Sequence, residues 1–509
     1  MGRNNFYMIP KDFENVSWLE SNLRKRPEDF WVKRGERRVL KLFQLMSQRV
    51  PAYKDLLKKK RIKPELIKTI KDFKEIPLID KDNYLKKYPL ESLCWDGKFK
   101  EKSFIICSTS GSTGEPFYFP HEEEQDLQYS ILAELYLRAN FEIQKRSTLY
   151  IVGFMLGAWI GGVFTYSAIR LLTKKGKYKI SIITPGVDKM GIINVVKKLG
   201  EKFDQVIIGS YAPFLKDVLD DGIRLGVDWK KYNLGFVFSA EGFSEGLRDY
   251  ILKTVGAKNI YTTTLNHYGT VDLGTMSYET PISILLRRKA IQDKVIYEKL
   301  FKETVKLPTL TQYIPELFYF EEIDRTVICS AFSGIPLVRY NLKDYGGVIG
   351  FREISEIFKE KGIDIIKESS REDIDKTLWN LPFVYVFERK DFSVKFYLCD
   401  VYPEIIRRAL LVSELEKLVT GKFAMRVKFN RKQNQYLEVN IELKKGVVKG
   451  NDLKNKIAQI LLDRLLKENP GYKFVYNHIR KRAIPHVILW DYESLKYFKT
   501  GGKQKWVYK

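Results

Sequence analysis

Apolar positions change their spacing along this chain, and the changes divide it into elements. From residue 35 to 60 they recur at helical intervals through Val39, Leu42, Phe43, Leu45 and Met46, then Ala52, Tyr53, Leu56 and Leu57, with Pro51 breaking the run. A basic connector leads to residues 73–81, where Asp80 is placed to cap a short helix. Two short apolar runs, 104–107 and 117–119, read as strands, and residues 122–140 as an amphipathic helix. Strands are then predicted at 148–152, 180–183, 205–208 and 235–238, alternating with helices at 190–199, 215–219 and 247–255. Such alternation predicts a layered α/β sheet, whose ligands sit at the carboxyl ends of its strands. After residues 347–381, read as a helix plus loop, the pattern becomes helix 404–418, strands 425–430 and 437–443, and helix 453–467. That closing stretch is a small α+β unit.

With 509 residues the chain is long enough for two to four domains at roughly 150 residues each. Hydrophobic residues make up 44% and aromatics 14%, enough for a globular core and too much for disorder. The formal charge of +25 admits three partners: nucleic acid, an anionic membrane surface, or small anions. Lysines are spread over the whole length and no nucleic-acid recognition motif occurs, so a general compositional bias accounts for the charge. Cys94, Cys107, Cys329 and Cys399 lie far apart, without a Cys-x-x-Cys pair, and fit reduced core residues of a cytoplasmic protein. The N-terminus has no apolar stretch of the signal-peptide kind. Residues 149–169 carry no charge and are long enough to span a bilayer, but Gly161-Gly162, Thr165, Tyr166 and Ser167 suit a buried turn and helix, and no membrane span is expected.

Chemistry concentrates in Cys107-Ser108-Thr109-Ser110-Gly111-Ser112-Thr113-Gly114-Glu115-Pro116. Small residues let backbone N–H groups approach phosphate oxygens, and hydroxyls add neutral donors. The loop lies between two strands and lacks both the Gly-Lys-Ser/Thr of a Walker loop and the spaced glycines of a dinucleotide fingerprint. Composition alone would equally allow a solvated hairpin loop.

The order Thr-Ser-Gly-Ser-Thr-Gly-x-Pro resembles the phosphate loop of the adenylate-forming (acyl-CoA synthetase-like) superfamily, in the form carried by phenylacetate-CoA ligases. "VPAYKDLL" followed by "IPLIDKDNYLKKYP" is similar to the N-terminal region of that family. Ser239-Ala240-Glu241-Gly242 resembles its Gly-Glu-Pro segment beside the adenine, with Gly242 where Pro is usual. His267-Tyr268-Gly269-Thr270-Val271-Asp272 resembles its Tyr-Gly-x-Thr-Glu motif, with Val271 in place of Thr and Asp272 in place of Glu. "PLVRYNLKD", containing Arg339 and Asp344, is similar to "LIRYRTGD". "FERKDF…YPE" resembles the hinge, with Arg389 and Asp391 matching and Glu388, Leu398 and Cys399 where glycine is frequent. Lys503, with Lys505 as the alternative, stands where the family has its C-terminal Gly-Lys motif.

The resemblance implies a large N-terminal domain, 1–388, binding ATP and acid through layered α/β sheets, and a small mobile α+β C-terminal domain, 389–509. It implies phosphate binding by Thr109, Ser110, Gly111, Ser112, Thr113 and Gly114, and an adenine site from Ala240, Glu241, Gly242, Tyr268, Gly269 and Thr270. Asp344, with Arg339 beside it, would hold ribose, Asp272 would hold Mg2+, and Lys503, Thr113 and Asp272 would be catalytic. Trp159, Phe164, Tyr166 and His267 would line the acid pocket, although buried aromatics and a lone histidine are more often plain core residues. The implied reaction is ATP-dependent activation of a carboxylic acid to an acyl-adenylate, then transfer to a thiol, coenzyme A first among acceptors. A carrier-protein or amine acceptor, a non-catalytic basic binding protein on this fold, and a homodimer stay open at this point.

Overall fold

The computed structural model describes residues 8–109, 116–158, 160–240, 242–302, 308–389, 393–397, 399–410, 412–494, 496–498 and 507, with backbone only at 213, 388, 389, 404 and 416. The chain divides into two compact units, one of residues 1–108 and 118–389, the other of 109–117 and 390–509.

In the first unit a helix Glu28–Arg49 ends where Pro51 opens the next, Pro51–Lys59, so the proline both stops one helix and starts another. Asp80 caps no helix. Its carboxylate instead accepts from the backbone N–H groups of Asp82 (2.8 Å) and Asn83 (2.7 Å), closing an Asx turn. Strands β1 (Ile105–Ser108) and β2 (Tyr118–His121) pair as a hairpin.

The main sheet is built from β3 (Thr148–Gly153), β4 (Ile180–Ile183), β5 (Gln205–Ser210), β6 (Leu234–Phe238), β7 (Thr264–Thr270), β8 (Gly274–Tyr278), β9 (Thr309–Gln312), β10 (Phe318–Ile323), β11 (Thr326–Ala331), β12 (Leu337–Ile349) and β13 (Phe383–Arg389). Their spatial order is β10-β11-β12-β13-β9-β8-β7-β6-β5-β3-β4. From β4 to β7 the pairings are parallel, and from β7 to β10 antiparallel, so β7 is the strand at which the sheet changes sense. Strands β3, β5 and β6 are buried at every position, as parallel strands covered on both faces must be.

Helix Glu123–Phe141, expected to be amphipathic, is buried nearly all round, from Gln125 to Phe141. Its buried Glu134 is matched by Lys175 (2.5 Å) and Tyr178 (2.5 Å), which lets a charge lie in the interior. The uncharged stretch 149–169 folds as β3, a turn and part of helix Ile160–Lys174. Among the described residues no helix is long and apolar enough to cross a membrane. The stretch read as helix plus loop begins as the end of β12 and continues into two helices, Phe351–Lys359 and Ile365–Arg371.

The second unit has a two-stranded ribbon, β14 (Val394–Phe396) with β15 (Cys399–Val401), and a sheet of β16 (Val419–Phe429), β17 (Gln435–Leu443) and β18 (His486–Trp490). Helices Pro403–Leu410, Asn451–Glu468 and Pro470–Ile479 cover one face, and Leu437, Val439 and Ile441 alternate into the core between them. The helix expected at 404–418 is in fact two described segments, Pro403–Leu410 and Ser413–Glu416.

Candidate active site

The carboxyl end of β7 faces the middle of β12. The Tyr268 hydroxyl donates to Asp344 Oδ2 at 2.7 Å, joining two residues that lie far apart in sequence. Asp344 is buried, and its backbone is fixed by its place in β12 opposite Arg389 of β13. The Tyr268 ring stacks on Phe320 of β10 with centroids 6.3 Å apart. At Gly269 a Cβ would lie 2.6 Å from the Gly274 carbonyl oxygen, so this position of the turn admits no side chain.

Two residues past the end of β7, Asp272 is 3% exposed. Its Oδ2 accepts from the Tyr340 hydroxyl at 2.5 Å and its Oδ1 pairs with Lys81 Nζ at 3.2 Å. Lys81 arrives on the segment 74–83, which lies along β12: Ile79 bridges Tyr340 in parallel, Ile79 N–H donates to the Arg339 carbonyl (3.2 Å), and Asn341 N–H donates to the Ile79 carbonyl (2.8 Å). Arg339 clamps the same segment. Its guanidinium donates to the Lys74 and Ile76 carbonyls and to Glu321 Oε2, and its backbone, at φ 49°, is held in the left-handed region by Ser330 Oγ accepting from its N–H at 2.8 Å. Lys343 adds an ion pair to Asp82 at 2.6 Å.

Behind Asp272, His121 contacts the Val271 carbonyl through Nε2 (3.1 Å), while Gln125 Nε2 meets its Nδ1 (2.8 Å). Gln125 Nε2 can only donate, so Nδ1 accepts and Nε2 carries the proton that goes to Val271. Burial lowers the His121 pKa to about 4, against smaller raising effects of the Val271 carbonyl and Asp272, and keeps the ring neutral. Phe164 stacks on Tyr129 at 4.8 Å and lies 5.8 Å from His121. His267, 4% exposed, fits between Tyr129 (5.8 Å) and Tyr136 (5.0 Å) with Nε2 unpartnered, and burial lowers its pKa to about 3.

The turn after β6 has Ala240 at φ 77° and Gly242 close to Thr309, where a Cβ would meet Oγ1 at 3.1 Å. Thr270 Oγ1 accepts from Leu273 N–H (3.3 Å) and closes the turn that delivers Asp272. Tyr166 is 39% exposed. Thr109 receives the Phe117 N–H on its Oγ1 at 3.0 Å. Ser110, Gly111, Ser112, Thr113, Gly114, Trp159, Glu241, Asp391, Lys503 and Lys505 lie outside the described residues, as does the Arg389 side chain. Lys81, Tyr340, His121 and Gln125 were not singled out from the sequence. Lys81 and Tyr340 do lie inside the two phrases "IPLIDKD" and "PLVRYNLKD", whose charged and aromatic positions were the available signal.

Among the described residues no group of three or more His, Cys, Asp or Glu side chains is arranged to hold a metal. Asp272 offers one carboxylate. Mg2+ needs no more than one or two protein carboxylates when phosphates and water complete its shell, so this donor suits it, provided Lys81 gives up Oδ1.

No protein-family model matches the sequence, and no curated protein does. The chain is similar in structure to 2-hydroxyisobutyryl-CoA ligase in complex with 2-HIB-AMP and CoA in the thioesterification state, with TM-score 0.63 and 14% identity over 100% of this chain and 94% of the other. The same ligase in the postadenylation state with R3-HIB-AMP gives TM-score 0.54 at 14% identity, covering 96% and 91%. Its open conformation with 2-HIB-AMP and CoA gives 0.51 at 14%, covering 94% and 91%. The chain therefore has the fold of an adenylate-forming acyl-CoA ligase.

Proposed function

We propose that this protein activates a carboxylic acid with ATP and transfers the acyl group to a thiol, coenzyme A being the acceptor of first choice. The observation that carries the reading is the convergence of Tyr268 and Asp272, from one sequence motif, with Asp344, from a second motif far along the chain, at the switch between the parallel and antiparallel halves of the sheet. A solved ligase of the same fold, 2-hydroxyisobutyryl-CoA ligase, holds an acyl-AMP and CoA.

In the first step a carboxylate oxygen attacks the α-phosphorus of ATP and the bond to pyrophosphate breaks. In the second a thiol attacks the acyl carbon and AMP leaves. Two anions meet in the first step, so the task is neutralisation and alignment more than proton transfer. Asp344 would accept the ribose hydroxyls, a task for a carboxylate with two acceptor oxygens. Tyr268 would orient that carboxylate and pack on the adenine. Residues 109–114 would bind the outer phosphates, and Lys503 would bring a point charge to the two reacting groups. Asp272 would hold Mg2+, which when bound offsets phosphate charge. Lys81, already beside Asp272, is a second cation for the same phosphates, and Arg339 acts at a distance by holding the segment that carries Lys81. Phe164, Tyr166, His267 and Trp159 would form the acid pocket, and Asp391 with Arg389 the hinge.

Pyrophosphate release from ATP with a panel of carboxylic acids, each with and without coenzyme A, tests the proposal. Acid-dependent release accelerated by coenzyme A is expected; release indifferent to coenzyme A would assign another acceptor, and no release with any acid would overturn the reading. Lys503→Ala is expected to abolish adenylate formation while thioester formation from a pre-made acyl-adenylate continues. Equal loss of both steps would remove Lys503 from its role.

A further inference from the structure

A closed box of charge lies under the turn that follows β6. Arg248, on helix Glu245–Val255, is fully buried; it donates to Glu245 (3.0 and 3.2 Å), to both oxygens of Glu279 (2.8 and 2.9 Å) and to Thr264 Oγ1 (2.6 Å). Arg287, on helix Pro281–Gln292 and 2% exposed, donates to Glu245 Oε1 (2.5 Å), to the Pro308 carbonyl (2.8 Å) and to the Phe243 carbonyl (2.8 Å). Two buried cations thus face two buried anions, with Arg288 and Asp249 closing the rim.

Such an assembly is a poor way to gain stability. Desolvating four charges offsets most of their attraction, and apolar residues of the same volume often do as well. What it supplies is geometry. The Phe243 carbonyl belongs to the turn itself, the Phe243 ring lies 4.8 Å from the Arg248 guanidinium, and the Pro308 carbonyl immediately precedes Thr309, against which Gly242 sits. One planar guanidinium therefore fixes Phe243, Glu245 and Pro308, the residue before β9, relative to one another by three bonds in fixed directions, which lysine cannot reproduce.

We propose that Arg287, braced by Arg248 and Glu245, is a positioning residue that sets the segment 242–244 as the wall selecting the base of a bound nucleotide. This rests on the proposed function and on the adenine site that the family resemblance implies around Gly242. A purely structural box would lower stability when altered and leave base preference untouched.

The experiment measures equilibrium binding of AMP and GMP to the full chain, with no need to know the acid. For the unaltered chain AMP should bind at least tenfold more tightly than GMP. Arg287→Lys should weaken AMP at least tenfold and bring the AMP-to-GMP ratio towards one, while Arg288→Lys at the rim leaves both within twofold. Should Arg287→Lys fail to fold, Gly242→Ala probes the same wall from above. It should weaken AMP binding, and adding Thr309→Ala, which removes the 3.1 Å contact, should restore it. AMP bound by the unaltered chain but with an unchanged ratio in folded Arg287→Lys, or no effect of Gly242→Ala, would overturn the positioning role alone. Failure of the unaltered chain to bind AMP would overturn the proposed function, and the positioning role with it.

Discussion

The two halves of the large sheet supply the candidate site in different ways. The parallel half gives residues beyond strand ends: 242–244 after β6 and 271–273 after β7. The antiparallel half gives side chains from within a strand, Tyr340 and Asp344 of β12, held between β11 and β13. A residue inside a paired strand inherits its position from the ladder. A residue on a turn needs a prop, and each turn here has one: Arg287 under Phe243, His121 and Gln125 behind Val271. Precision is thus obtained once from register and once from buried polar bonds.

Changes on the antiparallel side should therefore disable binding without disturbing shape. Asp344→Ala is expected to lower kcat/KM for ATP by about 10²–10³-fold, the loss of two charge-assisted hydrogen bonds at about 1.5–3 kcal/mol each, discounted for water replacing them. Pyrophosphate release at varied ATP measures it; a change under threefold would take Asp344 out of the site.

Tyr340→Phe crosses the two halves. It leaves a buried Asp272 oxygen without its 2.5 Å donor, and stability should fall by about 2 kcal/mol in urea unfolding. If stability is unchanged, water or Lys81 replaces the hydroxyl and the two halves are less tightly joined than the geometry indicates.

The third effect is read as a pH dependence and centres on two buried histidines, His121 of β2 and His267 of β7. The folded-state pKa values of His121 and His267 are lowered to about 4 and about 3 by burial, so the unfolded chain, with histidines near the ordinary 6.5, takes up protons first. Their contribution to stability is present above about pH 6.5 and is lost as pH falls towards 4, at about 1.4 kcal/mol per pH unit for each proton. His267→Phe should remove one proton's worth of that slope in urea midpoints taken between pH 4 and 6.5. An unchanged slope would show that His267 is not held neutral.

The same contrast explains what could be read beforehand. Strands β3, β5 and β6 are continuous apolar runs and were legible as such. Strands β8 and β9, Gly-Thr-Met-Ser-Tyr and Thr-Leu-Thr-Gln, carry polar residues that are buried because neighbours satisfy them: Ser277 with Thr311, and Gln312 on the Trp379 and Leu381 carbonyls. No local pattern announces such pairing. Asp272 and Asp344 were legible from motif order, whereas Lys81 acquires its place only when segment 74–83 lies along β12. Arg287-Arg288-Lys289 is a run of three cations, yet its first member is buried while Arg288 pairs with Glu245 and Asp249 and Lys289 with Glu368 at partly exposed positions. Charge runs on helices hide this kind of exception because burial is decided by partners on other elements.

Strand β7 hydrogen-bonds to β6 on one side and β8 on the other, and it is also the strand that carries Tyr268. Its residues 264–266 pair with β6 and 267–270 with β8, so freeing the whole strand requires both neighbours to let go, which ties the two halves into one cooperative unit. A ligand seated on Tyr268 and Asp272 would accordingly raise the free energy of opening across the whole sheet rather than of one lobe, and occupancy would be visible as protection far from the ligand itself.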